Sequence, residues 1–375
     1  MKQLIILSQA PLTPQIRRNC YIDEFINAGY TNIEFWDISQ YLHPGIKLKD
    51  ELQDEHIKYI PNIETLSASI DNLNVENSIF ILDFPQGWNT RHLFRVLSDK
   101  ECIYVRIDMY ANTYLYISKW KQLSKLFSKQ LVHIIKEKTK SILYNFYTKK
   151  YHIQPFKRYY SSSALSKVNR TDKINHPDYE ELKYSPTTPA VSGKYILFID
   201  TYFGYHPDDK FIYKYNSHAS PEEYHESLKK FFAFLEQKYQ MPVVIAAHPK
   251  SDYPADTFGG RQIIKYKTKD LVFFADKIIL QLCNTISWVT LVDKPLIFIT
   301  TRGYEMYQLR RRRLRMLAQI LGMKVFNIDE CNWEDITFTN VAQQKRLNYI
   351  YTYLTDKEIE NRKNIDILTH SFESL

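Results

Sequence analysis

The chain has 375 residues, of which 44% are apolar and 25% charged, and its formal net charge is +8. That length exceeds one ordinary hydrophobic core, and the balance is globular, which excludes fibrous, low-complexity and disordered classes. No run of about 18 apolar residues occurs, so no membrane-spanning helix is expected. The four cysteines never form C-x-x-C, so neither a disulfide framework nor a zinc site is indicated, and the reduced cytoplasm is the natural compartment.

The N-terminal apolar run is too short for a signal peptide and reads as a first strand, Gln3–Ser8. Further strands at Asn32–Asp37, Ser78–Asp83 and Cys102–Ile107 alternate with helices near Pro14–Ala28, Ile63–Leu73 and Arg91–Ser98. Such alternation predicts an α/β fold with parallel strands and helices on both faces. From Tyr114 to about Phe146, Trp120, Leu123, Phe127, Leu131, Ile134 and Ile135 recur at three- and four-residue spacing, which predicts a long amphipathic helix. Eleven basic residues between Tyr114 and Tyr160 meet only Glu137, an excess larger than the net charge of the whole chain. A localised excess implies a local anionic partner rather than general nucleic-acid affinity. Lys119, Lys121, Lys125 and Lys129 are the candidates for meeting anionic headgroups, each contributing roughly 1 kcal/mol near a surface. A solvated charged face on a core helix is the alternative.

Residues 161–193 are rich in Ser, Lys, Asn, Pro and Thr and read as an interdomain linker. They contain Asn175-His176-Pro177-Asp178, with no strand expected before it. A second alternating region starts with a strand at Lys194–Ile199, ending in Asp200-Thr201, and a helix near Pro221–Tyr239. A strand at Pro242–Ala247 runs into His248-Pro249-Lys250-Ser251. Next come a strand at Asp276–Gln281, a helix opened by Cys283-Asn284-Thr285-Ile286-Ser287, and a strand at Pro295–Ile299 leading to Thr300-Thr301-Arg302. A basic run, Arg310-Arg311-Arg312-Arg313, a strand at Lys324–Ile328 and polar helices complete the chain. The predicted domains are 1–160, linker 161–193, 194–335, and C-terminal helices over 336–375.

Open parallel sheets bind ligands at the carboxyl ends of their strands. An imidazole and an ammonium delivered there by His248 and Lys250 suit an anionic guest, and the backbone amides and hydroxyls around Asn284, Thr285 and Ser287 suit phosphate oxygens. Each element also has a plain reading: Pro249 stops a strand, and Thr285 or Ser287 caps a helix. Asp200 is placed to bind a ribose or to orient His248, unless Asp200 to Gly204 is only a turn before Pro207. Neither G-x-G-x-x-G nor a P-loop is present, which argues against a dinucleotide dehydrogenase or an NTPase. No D-x-D stands in a plausible site, so neither a metal nor a further cofactor is expected.

His248-Pro249 followed by Thr285-Ile286-Ser287 resembles the His-Pro and Ser/Thr elements of bacterial sialyltransferases, polysialyltransferases and capsule Kdo transferases. The likeness covers the second half only and its motifs are short. It implies a GT-B fold: two Rossmann-like domains with a cleft between them and C-terminal helices crossing back to the first domain. It also implies that His248 contacts a nucleotide phosphate and that an acid in the first domain deprotonates the acceptor. Ile107-Asp108-Met109-Tyr110 matches that acidic element only in part, since one acid replaces two and no glycine follows. Asp108 is the expected base, with Asp83 and Asp37 as rivals that could equally cap turns.

The expected activity is a glycosyltransferase building a surface polysaccharide, capsule or lipopolysaccharide, with a CMP-activated nonulosonic-type donor favoured and a glycan or lipid-linked glycan acceptor. A UDP-hexose transferase, a nucleotide-sugar epimerase and a non-catalytic polyanion-binding protein are the alternatives. The expected place is the cytoplasm, with peripheral contact at an anionic membrane.

Overall fold

The computed structural model describes residues 2–375 apart from 49, 109–130, 167, 169, 170, 206–219 and 255, and leaves out the side chains of 131–134 and 137. Contacts divide the chain into two units, one running to Pro177 and rejoined by Glu358–Leu375, the other built on Asp178–Lys357.

The first unit holds a seven-stranded parallel sheet: β1 (Gln3–Ser8), β2 (Ile33–Asp37), β3 (Ile57–Tyr59), β4 (Ser78–Leu82), β5 (Ile103–Asp108), β6 (Arg158–Ser161) and β7 (Thr171–Lys173), in the order β3-β2-β1-β4-β5-β6-β7. Side chains alternate across a strand, so Leu4 and Ile6 join Ile79, Ile81 and Val105 on one face. Ile5 and Leu7 join Phe80, Leu82 and Tyr104 on the other. Burial on both faces is why the central strands read as unbroken apolar runs.

The second unit has a six-stranded parallel sheet: β8 (Ile196–Ile199), β9 (Val243–Ala246), β10 (Ile263–Ile264), β11 (Lys277–Leu280), β12 (Leu296–Thr300) and β13 (Val325–Asn327), in the order β10-β9-β8-β11-β12-β13. Its long helix Pro221–Tyr239 begins where local chemistry dictates: the Ser220 hydroxyl accepts from the Glu223 N–H, Pro221 opens the first turn, and Glu222 and Glu223 meet the positive end of the helix dipole.

Three expectations need correction. The segment 161–193 is not a plain linker: it completes β6, forms β7 and carries the helix Pro177–Tyr184, and the unit boundary falls at its His-Pro. Its polar composition hid β7 because an edge strand buries little; the three residues of β7 are half-buried or exposed. His176 therefore does follow a strand. The long helix is described over Leu131–Lys150, beyond the Phe146 at which it was expected to end, and its expected first part lies outside the described residues.

The C-terminal helix Asn364–Glu373 packs on the first unit, as expected. Leu368 and Phe372 enter the core there, and Phe372 stacks on Phe25 at 5.6 Å. Asn364 fixes the join: its side chain accepts from the Asn175 N–H at 2.7 Å and donates to the Asn175 carbonyl at 2.7 Å and the Tyr21 hydroxyl at 2.6 Å. Every partner is buried, so each bond made there removes an otherwise costly unpaired group. No described helix is long and apolar enough to cross a membrane.

Candidate functional site

At the carboxyl edge of the second sheet, β8 and β9 leave the sheet side by side, with Ile199 paired to Ala246 and the Asp200 N–H donating to the Ala246 carbonyl at 3.0 Å. Asp200 is buried, and its carboxylate gathers the next turns around itself. Oδ1 accepts from the Tyr202 N–H at 3.0 Å, Oδ2 accepts from the His248 N–H at 3.2 Å, and the Tyr253 hydroxyl lies 3.2 and 3.3 Å from the two oxygens. Burial pushes the Asp200 carboxyl up to about 6, against those hydrogen bonds, which favour its charge. Burial and then the Asp200 charge push the Tyr253 phenol far upward, so it stays a donor. Tyr202 takes a left-handed φ of 52°, a conformation costly for a bulky residue and held here by its N–H bond to Asp200.

This turn chemistry orients His248. Pro249 has no N–H and ends the ladder, and the Lys250 N–H reaches back to His248 Nδ1 at 3.1 Å. An imidazole whose Nδ1 accepts carries its neutral-state proton on Nε2, which makes Nε2 a donor. His248, Pro249 and Lys250 are half-buried, whereas Ser251 is buried and the Lys265 ammonium bonds its carbonyl. The edge thus presents a fixed imidazole beside a lysine, and Asp200 sets the backbone beneath them.

The remaining candidates of this unit divide. Thr201 is buried and donates to Gln281 Oε1 at 3.2 Å, where the Tyr224 hydroxyl also donates at 2.7 Å. Gln281 stands at the end of β11, where the sequence pattern predicts only the close of a strand. It is fully buried, and its Nε2 has no hydrogen-bond partner among the described residues. A polar residue ending an apolar run beside the Asp200 strand was the available signal. The helix after β11 starts at Ile286; Thr285 has helical angles and makes no side-chain cap. Ser287 is fully buried and its hydroxyl turns back to the Asn284 carbonyl at 3.1 Å, leaving Asn284 exposed and Thr285 half-buried. Ser287 lies inside the helix and its hydroxyl donates to its own backbone, so the helix cap that the plain reading of the motif expects is made by neither residue.

The carboxyl edge of the first sheet gathers a different set. Asp108 is buried, with Oδ2 accepting from the Tyr159 hydroxyl at 2.9 Å and the Ser161 hydroxyl at 3.3 Å. Asp37 is buried and accepts from the Ser39 N–H at 2.7 Å, a turn role. Asp83 accepts from the Ser8 hydroxyl at 2.8 Å and the Gln9 N–H at 3.1 Å. Although part of Asp83 meets solvent, its carboxyl is deep enough that burial pushes it up to about 6 against the Ser8 and Gln9 bonds and the Arg106 charge. His176 is buried; loss of solvation brings it down to about 3, helped by Arg18 and opposed by Asp108.

Lys119, Lys121, Lys125 and Lys129 lie outside the described residues. Among the described residues no group of three or more His, Cys, Asp or Glu is placed to hold a metal ion.

No protein-family model matches the chain, and no curated protein matches it. Solved structures do. The UDP-GlcNAc 2-epimerase from Methanocaldococcus jannaschii aligns over 100% of both chains with a TM-score of 0.51 at 10% identity. The wall teichoic acid polymerase TagF aligns over 100% of this chain and 90% of its own with a TM-score of 0.50 at 11% identity. At such identities the likeness is one of fold: two parallel-sheet α/β units with the C-terminal helix returned to the first make this chain a protein of the GT-B fold type.

Proposed function

We propose that the protein is a glycosyltransferase that moves a sugar from a nucleotide-sugar donor, with a CMP-activated nonulosonic-type sugar favoured, onto a surface-polysaccharide or lipopolysaccharide acceptor. The observation that carries this reading is the fixed imidazole of His248 at the carboxyl edge of the second sheet, with Nδ1 engaged by the Lys250 N–H and the backbone N–H held by Asp200. A donor nucleotide leaves as a phosphate that gains negative charge, and a preoriented Nε2–H with the Lys250 ammonium nearby stabilises that charge. Orientation fixed before the reaction removes a reorganisation cost from the transition state. Thr285 and Asn284 remain accessible for phosphate oxygens, and Thr201 with Asp200 is assigned to the nucleotide side.

Proton removal from the acceptor needs a base tuned near the working pH. Asp83 fits better than Asp108: it is partly exposed and its carboxyl is pushed up to about 6, whereas Asp108 is buried with one oxygen receiving two hydroxyls. Asp108 is assigned the role of holding Tyr159 and Ser161. A nucleotide-sugar epimerase is the second reading, favoured by the full-length likeness to the Methanocaldococcus jannaschii enzyme. It predicts that donor is turned over with no acceptor present.

The test is thermal stabilisation by CMP, UDP, GDP and ADP side by side, with His248→Ala as the control. A nucleotide at 100 times its Kd adds about 2.7 kcal/mol to stability. A shift with CMP alone supports the acidic-sugar transferase. A shift with UDP alone moves the reading to a hexosyltransferase or epimerase, and no shift with any of the four removes the phosphate site at His248.

A further inference from the structure

Among the described side chains, the helix Leu131–Lys150 packs on the first unit through one face. Tyr147 sets its ring against Trp88 at 6.3 Å and His92 at 5.8 Å, and its hydroxyl lies 3.2 Å from His92 Nδ1. One turn on, Tyr151 lies under the Arg95 guanidinium at 4.1 Å and against Tyr147 at 4.5 Å. Both tyrosines pack on the core around Phe94 and Tyr104. Residues spaced by about 3.6 per turn from these form the packed side.

The opposite side is apolar and open. Ile135, Ile142 and Phe146 stand seven and four residues apart, on one stripe of the helix, and are 54%, 56% and 68% exposed; Leu143 beside them is 43% exposed. Four large apolar side chains in a row are not the scattered singles of an ordinary surface. Lys136, Lys138, Lys149 and Lys150 are exposed as well, and helical register puts Lys138 and Lys149 along one border of the stripe and Lys136 and Lys150 along the other. The helix holds five lysines against a single acid, Glu137.

We propose that this face docks on an anionic membrane surface, with Ile135, Ile142, Leu143 and Phe146 entering the headgroup boundary and the bordering lysines meeting lipid phosphates. An apolar stripe between two lysine borders is the pattern of a helix lying in a bilayer interface, where long lysine stems reach from apolar depth back to charged headgroups. A second copy of the chain is the poorer occupant. Pairing two such faces would bring lysine borders together with five lysines against the single Glu137 on each helix, and like charges in contact oppose association.

The experiment is co-sedimentation of the full chain with vesicles of phosphatidylcholine alone and with about one-third phosphatidylglycerol, at low and high salt. The expected result is binding to the anionic vesicles only, weakened by salt. Binding is expected to weaken about tenfold or more in Ile142→Ser/Phe146→Ser, and also in a variant with Lys136, Lys138, Lys149 and Lys150 changed to Gln. All six positions are exposed, so both variants are expected to keep the wild-type Tm. Failure of the wild type to bind anionic vesicles overturns the proposal, as does equal binding by the serine variant. Sedimentation velocity without lipid gives the third arm: a wild-type dimer that Phe146→Ser converts to monomer assigns the face to a second copy and overturns the membrane.

Discussion

His176-Pro177 in the first unit and His248-Pro249 in the second both leave the carboxyl edge of a parallel sheet, three residues after β7 and two after β9. The dipeptides are the same and their surroundings differ. His176 is buried, next to Asn175, which is bonded to Asn364 of the C-terminal segment, and loss of solvation holds the ring down at about 3, neutral at any ordinary pH. His248 is half-buried, fixed through Nδ1 and through its backbone. The carboxylates beside them differ too. Asp108 accepts side-chain hydroxyls from its own sheet, whereas Asp200 spends its oxygens on N–H groups of two separate turns and on Tyr253. A His-Pro pair is therefore a strand stop in both units, and it becomes a candidate for anion binding only where the ring keeps solvent access and the backbone around it is organised.

The sharpest way to break this comparison is to remove each imidazole. His248→Ala is expected to lower turnover of donor by about 10²-fold or more with the fold retained, read by initial rates and by an unchanged circular-dichroism spectrum. Near-normal turnover would make the two histidines equivalent after all and return His248 to a structural role. Within the first unit, Asp83→Asn is expected to reduce turnover by about 10²-fold and to flatten the acid limb of the rate profile, while Asp108→Asn costs less than Asp83→Asn. The reverse ranking would restore Asp108 as the base.

A smaller effect follows from the buried imidazole itself. His176 has its folded-state value depressed to about 3 from an ordinary 6.5, so the unfolded chain takes up a proton first as the pH falls. Its contribution to stability is complete above the unfolded value and is lost between about pH 6.5 and pH 3. Asp83 and Asp200, both raised to about 6, work the other way, since the folded state protonates first and stability falls as the pH rises through 4 to 6. Comparing wild type with His176→Gln isolates the histidine: moving from pH 7 to pH 5 should cost the wild type about 2 kcal/mol more than the variant in urea denaturation. Equal losses would mean that the His176 ring is solvated in the folded state.

Much of this architecture was legible from local pattern. The span of β1 and that of the helix Pro221–Tyr239 follow from an apolar run and from a Ser-Pro-Glu-Glu start, and the His248 edge follows from a polar cluster after a buried strand. The two-unit α/β fold and the return of the last helix agree with the reading of the chain. Three of the four edge strands escaped it: β3, β7 and β10 are only two or three residues long and none of their residues is buried, too short for a strand pattern to show. Gln281 escaped for another reason, because its importance lies in being fully buried against Thr201 and Tyr224, which are 80 and 57 residues away in sequence.

Central strands and long helices form where local sequence places them, because desolvation of apolar runs, caps and turn residues act over a few neighbouring positions. Which polar groups lose their water is set by long-range packing. Whether a histidine is a buried spacer or a presented donor, and whether a carboxyl rises to about 6, depends on what distant segments pack around it, as Asn364 bonds Asn175 beside the buried His176 and as β9 brings His248 to Asp200. Burial sums contacts between residues far apart in the chain, and no local pattern of residues encodes that sum.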